Sequence, residues 1–201
     1  MALVQQGTSN YAKILTIVQS QFTQRLSDGE EPAEGAVVST RVLEKGPNAG
    51  KEVREIRASE LTPSIITGAE FQVTDYGNNL ILKLVDESED SFNLQIPIDS
   101  RFFAEFAKRI PNINLEKMVE FKIAKSKLDG KPYLFVSQDG EAVKFAFTKD
   151  NPGDMPQPVK KTVKGKVVWD WEEQENFLYE LVVKFIDDLK TENGFETDIP
   201  F

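Results

Sequence analysis

The chain has 201 residues, 40% hydrophobic and 28% charged, with 33 acidic against 24 basic side chains and a formal net charge of −9. That is the composition of a folded chain of one domain with appendages, or two small ones, and it excludes both a disordered polypeptide and a multi-domain machine. It has no Cys and no His, which excludes disulfides, thiol nucleophiles, Ser-His and Cys-His catalysis and the usual zinc ligands.

The chain therefore reads as a non-enzyme with no catalytic residues, no cofactor and no metal site, since carboxylates alone would hold only hard cations. No apolar run reaches the length of about 18 residues needed to span a bilayer, and the first residues lack a basic segment followed by an apolar one. The expectation is a cytoplasmic protein without membrane contact. Charge is distributed unevenly. Residues 1–98 hold 8 bases and 14 acids, residues 99–169 hold 14 and 9, and residues 170–201 hold 2 and 10. An acidic tail after a basic stretch suggests either masking of an anion-binding surface or a dock for a basic partner.

Taken in order, residues 11–26 fit two short strands, Lys13–Val18 and Gln21–Leu26, or one helix, with two strands preferred. From Ala36 to Phe147 apolar and polar residues alternate, with turn residues roughly every eight to twelve positions, the all-β signal. Strands are predicted over 36–43, 52–58, 68–76, 79–86, 91–98, 117–125, 132–137 and 141–147. Turns are read at 46–50, at Gly77-Asn78-Asn79 and at Asp129-Gly130. Between the fifth and sixth of these strands, Asp99 can cap a short helix carrying Phe102, Phe103, Phe106 and Ile110, closed by Pro111. Residues 148–158 have linker composition, with three prolines. A basic run, Lys160, Lys161, Lys164 and Lys166, leads into Val167-Val168-Trp169. Asp170 and Glu173 then have capping-box spacing, and apolar residues from Phe177 to Leu189 recur at helical intervals. That amphipathic helix must bury its stripe against the β domain, a second copy or a partner.

The order of elements over 68–147 is three strands, a helix and further strands, which is the order of a five-stranded OB barrel. The fold expectation is thus mainly β: an N-terminal β extension (1–60), an OB-fold-like barrel (61–148), a Pro-rich linker (149–158), a basic segment with a C-terminal amphipathic helix (159–192), and an acidic tip (193–201). Alternation turns Leu80, Leu82, Leu84, Val119, Phe121, Ile123, Leu134 and Val136 inward. Lys83, Lys122, Tyr133, Phe135 and Ser137 then face outward, and the loop after Lys125 adds Lys127 and Lys131. Rings for stacking beside lysines for phosphates are what sequence-tolerant binding of single strands requires. Two readings of this set stand: a DNA-binding face, or rings packed beneath the N-terminal strands or the C-terminal helix with lysines as solubility charges. The basic residues of the opening hairpin, Arg41, Lys45, Lys51, Arg54 and Arg57, alternate with Glu44, Glu52 and Glu55 and carry less weight. The carboxylates at 86–90 and Asp187-Asp188 read as a solvated turn and a solvated helix face, although a carboxylate-metal nuclease would use such groups.

The last four residues, Asp198-Ile199-Pro200-Phe201, follow Glu196 and an acidic helix. This ending resembles the tip of bacterial single-stranded DNA-binding proteins, an acidic stretch ending in Asp-Ile-Pro-Phe. Together with the OB-like order, the arrangement also resembles the phage-encoded members of that functional class, which is the better match. The resemblance implies binding and protection of single-stranded DNA during phage replication or recombination, in the bacterial host cytoplasm. It also implies that Asp198, Ile199, Pro200 and Phe201 recruit replication or repair proteins. Self-association is left open. The alternative from another class is a protein-interaction or virion module on an OB core, whose acidic tail mimics nucleic acid.

Overall fold

The structure, a computed structural model, describes residues 12–32, 35–44, 46–75 and 77–192. Residues 13–25 form two strands, β1 (Lys13–Val18) and β2 (Gln21–Arg25), joined by Gln19 and Ser20, both at positive φ. They are followed by β3 (Val38–Val42), β4 (Glu52–Ala58), β5 (Ser64–Thr74), β6 (Gly77–Asp86) and β7 (Ser91–Pro97). After helix α1 (Arg101–Ala107) come β8 (Glu120–Lys125), β9 (Pro132–Gln138) and the two-residue β10 (Glu141–Ala142). A hairpin of β11 (Val159–Val163) and β12 (Lys166–Asp170) precedes the long helix α2 (Glu172–Glu192). The architecture is mainly β with a C-terminal helix, as expected.

Seven strands form one sheet in the order β3-β4-β2-β1-β7-β6-β5, and three form another in the order β10-β9-β8. The two are laced together by residues 59–64, which run antiparallel to β8: Ile123 N–H donates to the Ser59 carbonyl, Leu61 N–H to Phe121, and Ser64 and Val119 exchange both bonds. These ladders do not close into the five-stranded ring expected over 61–148. The free edge of β7 is taken by β1, which pairs parallel to it with Leu15 opposite Leu94. The facing edge of β9 is shared by β10, which pairs with Ser137 and Gln138, and by α1, where the Leu134 N–H donates to Glu105 Oε2 at 2.6 Å while Arg101 Nε donates to Oε1 at 2.7 Å. Each edge thus finds a partner for its backbone groups without the other, as buried polar groups must. The N-terminal strands are accordingly continuous with the sheet that holds β5–β7.

Several local expectations shift. The α1 cap is Ser100, whose Oγ accepts from the Phe103 N–H at 3.2 Å, not Asp99. Pro111 sits inside a 3-10 turn, Ile110–Asn112, where its missing N–H is harmless. The β5–β6 ladder continues to Thr74 opposite Gly77, so Asn78 and Asn79 pair with Val73 and Gln72 and are not part of the turn. The strand expected at 141–147 stops at Ala142, because the end of α1 captures residues 143–146: Ala146 N–H donates to the Lys108 carbonyl, and Arg109 Nε donates to the Val143 carbonyl at 3.0 Å.

The core lies between the curled sheet and the two helices. Phe22, Phe106, Phe121, Leu80, Leu82, Leu94, Ile96, Leu134 and Val136 are fully enclosed. The stripe of α2 completes this core: Leu178, Val182, Phe185, Ile186 and Leu189 are buried, Phe185 meets Phe106 edge-on at 5.9 Å, and Tyr179 stacks on Phe71 of β5 at 4.6 Å. Of the three destinations open to that stripe, the β domain is the one it takes.

The opening hairpin contains one buried charge cluster. Glu55, 1% exposed, accepts from Arg41 Nη2 at 2.6 Å and from Arg57 Nη2 at 3.3 Å. Two of the basic residues noted in this hairpin are therefore engaged internally. Burial pushes the Glu55 carboxyl up, but the hydrogen bonds and charges of Arg41 and Arg57 outweigh it and leave it below its ordinary value of 4.5. A depressed carboxyl pKa stabilises the fold above the unfolded value, and that contribution disappears as pH falls through the folded one. Between pH 6 and pH 3, urea melts should show the wild type losing more stability than Glu55→Gln. Parallel losses in the two proteins would remove Glu55 from the acid response.

Candidate nucleic-acid interface

The β8–β9 register brings the predicted residues together. Lys122 lies opposite Phe135, and Ala124 opposite Tyr133, so both rings and the lysine share one face. Val119, Phe121, Ile123, Leu134 and Val136 are buried on the other, as alternation requires. Tyr133 and Phe135 are half-buried, and neither stacks on another aromatic ring among the described residues. Ser137 differs from expectation: it is buried, with its Oγ donating to Glu120 Oε2 at 3.2 Å. An open groove of about 440 Å³ runs between this face and residues 60–63, lined by Glu60, Thr62, Pro63, Lys122, Phe135 and Ser137 among others.

The charges on this face are mixed. Lys122 Nζ pairs with Glu60 at 2.8 Å, and this hydrogen bond, reinforced by the opposite charge, raises the lysine and lowers the glutamate. Lys83, outward on β6, forms an ion pair with Glu70 at 3.2 Å. Its stem lies across Gly68, where an added Cβ would come within 3.3 Å of Lys83 Cδ. Both pairs are exposed to solvent and screened by salt, so they contribute little to stability and can exchange partners.

The β8–β9 loop differs. Lys125, Lys127 and Lys131 are exposed and have no carboxylate within 4 Å among the described residues. Ser126 shapes this loop, its Oγ accepting from the Leu128 and Asp129 N–H groups and its carbonyl from Gly130, which takes positive φ. Asp129 is held below the usual carboxylate range by hydrogen bonds from Ser126 and the Lys131 N–H, and it faces Arg101 of α1 at 3.8 Å. The outcome is an ordered tip in which Leu128, 99% exposed, projects between the lysines.

A basic-aromatic element that reads in the sequence only as a charged run is the β11–β12 hairpin. Lys160 lies opposite Trp169, with its ammonium 5.1 Å from the ring, and Lys161 pairs with Asp170. The signal available was Lys164-Gly165, a two-residue turn with positive φ at both positions between two β-branched runs.

The carboxylates at 86–90 serve a turn: Asp86 Oδ1 accepts from the Ser88 and Asp90 N–H groups, and Asp90 pairs with Lys13 at 3.2 Å. Among the described residues, no group of three or more acidic side chains could hold a metal ion, and no helix is long and apolar enough to cross a membrane. Asp198, Ile199, Pro200 and Phe201, expected to dock partner proteins, lie outside the described residues, as does Lys45. Comparison with known protein families, with curated proteins and with solved structures finds no match to this chain.

Proposed function

We propose that this protein binds single-stranded DNA without strong sequence preference and protects it during replication or recombination of a phage or similar replicon. The supporting observation is the β8–β9 hairpin: Tyr133, Phe135 and Lys122 share one face, and that face leads into a loop with three lysines that have no carboxylate partner among the described residues. Bases stack on rings of either type while ammonium groups follow the phosphates, so the arrangement needs no base-specific contact. The order β5-β6-β7, α1, β8-β9 is read as an OB-type Greek key left open between β7 and β9, with β1 seated on the β7 edge. Recruitment of replication or repair proteins by Asp198–Phe201 forms the second half of the reading and rests on the sequence motif.

Fluorescence anisotropy with labelled oligo-dT and with a duplex of equal length, at two or more salt concentrations, tests this. Oligo-dT should bind more tightly than the duplex, and log affinity should fall linearly with log salt, at about −0.7 per contacted phosphate. Lys125→Ala and Lys127→Ala should each make the slope shallower. A flat salt response, or equal binding of single and double strands, would count against the reading and favour a protein-interaction module.

A further inference from the structure

The β11–β12 hairpin is exposed over nearly its whole surface. Every residue of β11 is exposed, as are four of the five in β12, among them Val159, Val163, Val167 and Val168. Trp169 and Trp171 are 54% and 47% exposed. An isolated two-stranded hairpin is marginal in water, and contiguous exposed apolar surface marks a place where something binds. Its charge says what. Residues 159–171 hold four lysines and one acid, Asp170, which Lys161 already engages. A second copy of the hairpin would bring like charges together, and two such arms would repel. A polyanion with flat, stackable groups satisfies both features at once, since Trp offers the best ring face and the lysines beside it meet phosphates.

We propose that this hairpin is a second contact for single-stranded DNA, separate from the β8–β9 face, with bases stacking on Trp169 and Trp171 and phosphates meeting Lys160, Lys164 and Lys166. The proposal rests on the single-strand reading above and extends its footprint. The arm leaves the body after the Pro-rich segment 149–158 and returns through the first turn of α2, where Gln174 Nε2 donates to the Pro156 carbonyl at 3.0 Å. Both of its roots are therefore anchored while its two faces remain open to a strand.

The chain contains two tryptophans, Trp169 in β12 and Trp171 directly after it at the start of α2, so tryptophan emission reports on the hairpin and its junction with α2. Full-length protein is titrated with oligo-dT while anisotropy of a labelled strand and tryptophan emission are followed in parallel. Emission should quench with the same midpoint as the anisotropy change. Trp169→Ala and Trp171→Ala should each weaken binding roughly tenfold, with thermal melts unchanged because neither ring belongs to the core. Lys160→Ala with Lys164→Ala should make the salt slope shallower. Binding by anisotropy with constant emission and unaltered affinity in both variants would overturn this proposal and leave the β8–β9 reading intact. Absence of any DNA binding would overturn both. A wild-type dimer that the Trp169→Ala change dissociates would reassign the arm to self-association.

Discussion

Phe185→Ala should lower the unfolding free energy by about 3–5 kcal/mol, a large fraction of what a domain of this size possesses. Phe185 is 5% exposed and sits edge-on to Phe106, which in turn packs against Phe121 of β8. Truncation would open a cavity where α2, α1 and the sheet meet, and interiors at crystal-like density relax into such voids only partly. The neighbouring exposed Lys184→Ala provides a control expected to stay within about 0.5 kcal/mol of wild type. Urea denaturation of the three proteins measures the difference. If Phe185→Ala cost no more than Lys184→Ala, α2 would be a detachable appendage and not a wall of the core.

Replacing Tyr133 and Phe135 together by Ala should reduce oligo-dT affinity by roughly 2–6 kcal/mol, taking about 1–3 kcal/mol for each stacked base. The fold should survive, because both rings lie on the half-exposed face and the buried side chains of β9 are Leu134 and Val136. Circular dichroism and anisotropy on the same preparations separate the outcomes. Unchanged affinity, or a melted domain, would assign the two rings to packing.

Much of the fold was legible because one side of each strand meets the core and the other meets water. Period-two alternation placed Leu80, Leu82 and Leu84 inward and Lys83 outward, and the 3.6-residue period identified the stripe of α2 that the core receives. Three features were not legible, each for a physical reason. The open ring depends on which segment reaches a free edge first in energy: β1 for β7, and β10 together with the Glu105 side chain for β9. No local pattern encodes either. Ile81, on the outward side of β6, is 4% exposed, although alternation assigns it to solvent. The β11–β12 hairpin has no buried face, so the contrast between inside and outside on which strand recognition relies is missing, and its lysines masked its β-branched residues. For the candidate site, the face and loop could be read from alternation, whereas the glutamates opposing Lys83 and Lys122 come from β5 and from the segment before it, positions that only the tertiary register brings near.

The parallel seating of β1 on β7 also dictates an order of events during folding. The Lys13–Asp90 ion pair beside it spans 77 residues of chain, and closing so long a loop precedes any reward from the contacts made. The local hairpins β1–β2, β5–β6 and β8–β9 can form early, yet the first must wait, with Leu15 and Phe22 uncovered, until β7 has been synthesised and paired with β6. The last wall of the core, residues 178–189, arrives later still. A chain growing on the ribosome therefore exposes this apolar interior until residues 178–189 have been made, the stage at which such a chain is most prone to aggregate.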